Sequence, residues 1–363
     1  MTAQDTTTWK PLLLFPDRPA DQKELVRLKT LPDTIVLEHY RDHFRELVAI
    51  QNPQRYFQPD FEDFFSKLWT SVSEEARAYE GAWVWYPWKR TLIHTLCEAD
   101  FVRVRTSRNN YLITTLEGER FREAKIGIAG LSVGYSVALS IVLEGGGKHL
   151  RIADRDTLDL SNLNRIPGSL DDTGLSKIAL AARRLYELDP YLEVEIYPEG
   201  LTRENTPLFV SGLDVLIDEV DSFAIKQLLR EEARRLKIPL LMATDNEESG
   251  SIDVERYDSD PKTVPYGGRI PELSVDELQK MTKQEVGKLI AQFVGEVHTT
   301  DRMRQSLKEI GKTLVSWPQL GGTALLNGGA MAYAIRAILR GDDLQSGRYV
   351  VSLPQVFSKK EVL

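Results

Sequence analysis

Lys125-Ile126-Gly127-Ile128-Ala129-Gly130-Leu131-Ser132-Val133-Gly134 is the stretch that decides the fold. Its first five residues have the character of a buried strand. They run into a turn framed by Gly130 and Gly134, and helix-compatible sequence follows to about Glu144. A strand that delivers a glycine turn to a helix N-terminus aims backbone N–H groups and the positive helix end at one point, where phosphate oxygens bind. Leu150-Arg151-Ile152-Ala153-Asp154 reads as the next strand. It ends in an acid about twenty residues after the turn, placed to hydrogen-bond ribose hydroxyls. Alone, this pattern fits a nicotinamide dehydrogenase equally well, or a glycine turn that only lets strand and helix pack closely.

Outward from there, short apolar runs alternate with helical periodicity. Leu175, Ile178, Ala179, Ala182, Leu185 and Tyr186 fall on one helical face. Val194 and Ile196 mark a third strand, and Phe223 to Lys237 reads as a helix. Val215-Leu216-Ile217 and Leu240-Leu241-Met242 are continuous apolar runs, as parallel strands covered on both faces require. The class predicted is α/β: a doubly wound, Rossmann-like, mostly parallel sheet over residues 101–363, with its ligand at the carboxyl ends of the strands. Residues 1–100 are expected to form a mainly helical accessory region, with helices over Glu38–Ala49 and Leu92–Glu98. The aromatic cluster Trp83, Trp85, Tyr86 and Trp88 either lines a substrate groove or packs between the two regions. A small-residue helix closes the chain through Arg340.

The residues after Asp154 narrow the chemistry. Ala153-Asp154-Arg155-Asp156-Thr157-Leu158-Asp159-Leu160-Ser161-Asn162-Leu163-Asn164-Arg165 runs on to Gly174-Leu175-Ser176-Lys177. A triphosphate site uses such groups: Asn162 as a neutral donor, Arg165 as a planar bidentate clamp and Lys177 as a point charge. Asp221 follows the strand Val215–Glu219. It is placed either to hold a Mg²⁺ that bridges phosphate oxygens or to cap the helix starting near Phe223.

Composition sets outer limits. The chain has 363 residues, 42% of them hydrophobic, so a sizeable core is affordable in one large domain with a smaller attachment. A net charge of -8 argues against a general nucleic-acid or anionic-membrane binder. No apolar run has the length of a membrane span and Met1–Thr6 has no signal-peptide character, so a cytoplasmic protein is expected. One cysteine, Cys97, precludes an internal disulfide and a cysteine-rich zinc site. It reads as a small core residue. The five histidines, His39, His43, His94, His149 and His298, are scattered and read as no metal site.

These motifs together resemble the ThiF/MoeB/HesA family, bacterial relatives of ubiquitin-activating enzymes. The resemblance rests on Gly130/Gly134, Asp154, Ser161–Arg165 (S-N-L-x-R), Gly174–Lys177 (G-x-x-K) and Val220-Asp221-Ser222, in that order. It extends over residues from about 100 to 355. It implies adenylation of a carboxylate with ATP and Mg²⁺, with Gly130, Ser132, Gly134, Asp154, Asp156, Asn162, Arg165 and Lys177 around the nucleotide and Asp221 on the metal. Arg105-Thr106-Ser107-Arg108-Asn109 resembles the family's R-Y-x-R-Q segment. That resemblance makes Arg108 a finger reaching a neighbouring subunit's phosphates, and hence implies a homodimer.

Two departures matter. The glycine turn is one residue short, with Ser132 at the second glycine position, where the hydroxyl either crowds a phosphate or donates to it. Residues 260 to 315, where many relatives carry a catalytic cysteine, have none. Direct acyl transfer to a nitrogen nucleophile is therefore expected, without an enzyme thioester. That scheme resembles the family's cysteine-free peptide-modifying members, whose extra N-terminal module clamps a precursor peptide. The carboxylate would then belong to a ribosomal peptide or small protein. A general base is not evident; Asp245, Glu247 and Glu248 are candidates, set against a solvated acidic loop. Two rival readings stay open: an NAD(P)-dependent oxidoreductase on the same fold, and a scaffold that has lost turnover.

Overall fold

The structure is a computed structural model that describes residues 8–295 and 300–358. His298 and the Met1–Thr6 segment lie outside the described residues. The chain divides into two compact units. One holds the residues up to Thr115 together with Ala182–Tyr191, and the other holds Leu116–Ala181 and the residues from Leu192 onward.

The first unit is built on a four-stranded sheet: β1 (Leu12–Leu14), β2 (Ile35–Glu38), β3 (Ala82–Tyr86) and β4 (Thr91–Thr95), in the order β1-β3-β4-β2. Helices Pro19–Thr30, Tyr40–Gln51, Phe61–Thr70 and Glu98–Arg105 supply most of its regular structure. The expected helix over Leu92–Glu98 is a correction: it is β4 and the residues that lead into Glu98–Arg105. Arg90, at φ 48°, turns the chain back on β3, and β4 is buried on both faces, at Thr91, Leu92, His94 and Thr95. Cys97 is exposed at the helix N-cap rather than in the core, because Leu96 takes the inward position. Trp83 and Trp85 pack with Leu14, Leu28 and Leu92 in this unit's own core. Tyr86 donates its hydroxyl to the Tyr186 carbonyl at 3.0 Å. Trp83, Trp85 and Tyr86 are therefore buried in the first unit, while Trp88 is half-buried and donates Nε1 to Glu187 at 2.8 Å. His43 Nδ1 is hydrogen-bonded to Thr95 Oγ1 at 2.8 Å, and no metal-holding cluster of three or more His, Cys, Asp or Glu occurs among the described residues.

The second unit carries a seven-stranded sheet: β5 (Lys125–Ala129), β6 (His149–Ala153), β7 (Glu193–Tyr197), β8 (Val215–Asp218), β9 (Leu240–Asn246), β10 (Ser249–Glu255) and β11 (Gly347–Ser352). The spatial order is β11-β10-β9-β8-β5-β6-β7. Strands β5 to β9 are parallel, while β10 and β11 add antiparallel to the edge. The parallel part is a doubly wound sheet whose strand order reverses between β5 and β8, the place where such sheets bind ligands. Ile126, Ile128, Val215, Leu216 and Ile217 are fully buried. Helix Val133–Leu143 leaves the end of β5, and helix Gly321–Arg340 packs against it. At Gly328 an added Cβ would lie 2.5 Å from the Ser136 carbonyl oxygen, so small residues set how closely the two helices approach. Among the described residues no helix is long and apolar enough to cross a membrane.

Candidate active site

At the β5/β8 crossover an open cleft of about 760 Å³ lies within the second unit. Gly130 starts it, at φ 90°, with its N–H on the Ala153 carbonyl at 2.8 Å. A Cβ there would overlap the Glu219 carbonyl oxygen, so only glycine lets the turn and the end of β8 come this close. Asp154 ties the turn to β6. One carboxylate oxygen accepts the Leu131 N–H at 2.7 Å, and the other accepts the Asp156 N–H at 2.8 Å. Burial pushes Asp154 above the usual aspartate range, against these two N–H groups and Lys177.

Ser132 ends the turn and is the N-cap of helix Val133–Leu143. Its hydroxyl oxygen accepts from Arg165 Nε at 3.1 Å, which leaves its own proton free to donate. Arg165 is half-buried, and Asn164 Oδ1 accepts from its Nη1 at 2.9 Å. Burial lowers its pKa, against Asp245 and Asp221, which face it. Lys177 is nearly buried and pairs with Asp156 at 3.1 Å. Two cations are thus held at the mouth of a helix N-terminus by short protein contacts, a fit for phosphate oxygens.

Asp221 is exposed on the cleft, two residues before helix Phe223–Leu236. The helix N-cap is Ser222 and has no side-chain cap bond, so Asp221 is not spent on capping. Among the described residues its carboxylate makes no hydrogen bond. One free carboxylate suits Mg²⁺, which takes one or two protein carboxylates and completes its shell with phosphate oxygens and water.

Gly130, Ser132, Asp154, Asp156, Arg165, Lys177 and Asp221 therefore share one cleft wall. Gly134, Asn162 and Arg108 do not line it. Gly134 packs under the turn, where a Cβ would stand 3.0 Å from Ile128 Cγ2. Asn162 is buried and its Oδ1 accepts the Asp159 N–H at 3.1 Å, forming a capping box over Leu160–Asn164 that presents Arg165. Arg108 is exposed in the Ser107–Asn109 turn of the first unit.

The sequence offers Asp245 as a candidate base set against a solvated loop, whereas it does not single out Glu219 and Arg230. Asp245 belongs to no solvated loop: β9 continues to Asn246, and Asp245 is 3% exposed. Burial pushes its pKa up, while Asn327, Gln319 and Arg165 hold it down. Glu219 accepts the Ala243 N–H at 2.6 Å. Burial, with Asp218 and Asp245 adding, raises it well above the usual glutamate range, against Lys226 and that N–H. Behind it, Arg230 is 1% exposed and bridges Asp218 at 2.5 Å and Glu255 at 3.1 Å. Burial favours a neutral Asp218, but Lys226 and Arg230 outweigh it and keep the carboxyl ionised. The Arg230 guanidinium also lies 3.8 Å from the Tyr266 ring centroid. The sequence signal for this cluster was available: two acids close the apolar run of β8, and an arginine falls on the buried face of the next helix.

The ThiF family model matches residues 106–307. The chain belongs to the ThiF family. An uncharacterized protein of Mycobacterium tuberculosis is 38% identical over 271 residues, which is 75% of this chain and 38% of that protein. A sulfur carrier protein adenylyltransferase of Thermus thermophilus is 30% identical over 138 residues, covering 38% of this chain and 51% of its own length. The ThiF chain thus spans about half or less of each of these relatives. Among solved structures, Escherichia coli MccB with MccA-N7isoASN aligns over 69% of each chain at 16% identity, with a TM-score of 0.49.

Proposed function

We propose that the second unit adenylates a substrate carboxylate with ATP. The observation that carries this is the pair of fixed cations, Arg165 on Ser132 and Lys177 on Asp156, in the same cleft as the unbonded Asp221. A nicotinamide site on the same strand order has no use for two cations and a free acid. Family membership supports the reading, as does the adenylyltransferase named among the relatives.

In this reading Asp154 faces the ribose and the N-terminus of helix Val133–Leu143 faces the phosphates. Arg165 and Lys177 stabilise charge on the phosphate oxygens as the carboxylate attacks the α-phosphorus and pyrophosphate leaves. Asp221 is the protein ligand of Mg²⁺, which when bound neutralises and aligns the phosphates. The acyl group then passes directly to a nitrogen nucleophile. Cys97, the chain's single cysteine, has its thiol pushed up by burial, Asp100 and Asp17, the opposite of an activated nucleophile. We further assign the carboxylate to a peptide or small protein bound by the accessory region, residues 1–100. Arg108 then serves the partner subunit's phosphates in a cytoplasmic homodimer.

Titration with Mg·ATP and with NADH separates this from its rival. Saturable ATP binding that weakens in Arg165→Ala and Lys177→Ala is the expected result. Tight NADH binding with no ATP binding overturns the proposal.

A further inference from the structure

One fixed acid in the cleft has no part in that scheme. Asp245 lines the cleft wall on β9, and both its oxygens are held from elsewhere in the second unit. Oδ1 accepts Asn327 Nδ2 at 2.6 Å, and Oδ2 accepts Gln319 Nε2 at 3.1 Å. Each oxygen keeps lone-pair capacity beyond these bonds.

The surroundings give up something to hold it. Asn327 is fully buried, and its own Oδ1 has no hydrogen-bond partner among the described residues. Folded proteins rarely leave such an acceptor unpaired. Turning the amide over would face that oxygen toward the Asp245 carboxylate. Position 250 is glycine for the same reason, since a Cβ there would overlap Asn327 Oδ1. What the arrangement yields is one amide donor aimed at Asp245. A carboxylate so placed repels phosphate and accepts N–H. Of the other acids lining the cleft, Glu219 accepts the Ala243 N–H, Asp154 holds the turn, Asp156 pairs with Lys177, and Asp221 is the one assigned to Mg²⁺.

Resting on the adenylation reading, we propose that Asp245 receives an amine nucleophile in this cleft and takes its proton as the nitrogen attacks the acyl adenylate. The nitrogen lone pair forms the C–N bond, and the C–O bond to AMP breaks with its electrons leaving on the phosphate. The proton passes from nitrogen to the Asp245 carboxylate and then to water. No oxidant or further reactant is needed. Burial raises Asp245, against Asn327, Gln319 and the Arg165 cation that faces it, and a raised carboxylate is the stronger base.

The test uses the full chain and two nucleophiles. Amino acids and short peptides are first screened as carboxylates by pyrophosphate exchange, and the active one is used with glycinamide or with hydroxylamine. For Asp245→Asn, amide formation with glycinamide is expected to fall about 100-fold relative to exchange in the same protein. Hydroxylamine is neutral and strongly nucleophilic at neutral pH, so it should restore hydroxamate formation to near the wild-type rate. Gln319→Met, at a partly exposed position, should lower the same ratio about tenfold and serves if Asp245→Asn does not fold. An unchanged ratio, or loss with both nucleophiles alike, overturns the role of Asp245. A wild-type protein with no exchange across the panel overturns the adenylation reading itself, and this inference with it.

Discussion

Arg165 Nε donates to Ser132 Oγ at 3.1 Å, so the residue that makes the glycine turn irregular also aims the guanidinium into the cleft. A glycine at that position would open the turn and release the arginine. Ser132→Gly and Ser132→Ala each remove one hydrogen bond to a charged group, worth about 1.5–3 kcal/mol. Adenylation should therefore fall roughly 10- to 100-fold, read as pyrophosphate exchange rate. Arg165→Lys should fare as badly as Arg165→Ala, about 10²–10³-fold down, because an ammonium cannot bond Ser132 and a phosphate as a planar fork does. Near-normal exchange in Arg165→Lys would show that charge alone is what the site uses.

Asp221 is exposed and free of hydrogen bonds, so Asp221→Ala should unfold within about 0.5 kcal/mol of wild type while losing Mg²⁺-dependent exchange. Arg108→Ala should also be inactive. Mixed dimers of the two variants should recover part of the activity, because one cleft keeps both groups. Absence of recovery in a sample shown by mass spectrometry to hold mixed dimers would place Arg108 outside the site.

Glu219 carries a pH dependence whose sign is fixed by its raised pKa. A carboxyl raised in the folded state contributes stability that is full below its unfolded value of 4.5 and is lost as pH rises through the folded value. The chain should therefore weaken as pH climbs above 4.5. Glu219→Gln keeps an acceptor for the Ala243 N–H, so it should flatten that slope and raise stability at alkaline pH. Urea midpoints across pH 4 to 9 would check this, and a variant with the wild-type slope would assign the dependence to another group.

Arg230 is the keystone of the cleft's back wall. Arg230→Met leaves Asp218 and Glu255 buried with fewer partners, at a cost of roughly 3–5 kcal/mol. Restoring stability with Asp218→Asn and Glu255→Gln in the same chain would confirm that the loss is uncompensated charge rather than lost packing.

The parallel strands and their order of appearance were legible because strands covered on both faces are continuous apolar runs. Gly130, Asp154, Arg165, Lys177 and Asp221 were legible because each follows a strand or lies in a short loop at a readable spacing. Asp245 was legible as a candidate base but its burial was not, since that depends on Gln319 and Asn327, 74 and 82 residues further on. Local polarity at Thr244-Asp245-Asn246 looks like a loop, whereas these residues continue β9 into a hairpin with β10. The strand at Leu92 was hidden by His94. A histidine reads as polar, yet here it is buried between the Trp83 and Tyr40 rings, with centroids 4.4 and 4.8 Å away. Asn162 Oδ1 is taken by the Asp159 N–H, three residues before it, which places the side chain in the capping box rather than on the cleft wall.

Exchange of labelled pyrophosphate into ATP, with Mg²⁺ and a panel of carboxylates, tests the central claim most directly. Exchange that depends on one carboxylate class and disappears in Asp221→Ala and Arg165→Ala is the predicted result. A wild-type protein that binds ATP yet exchanges no label with any carboxylate would contradict it and leave a nucleotide-binding scaffold.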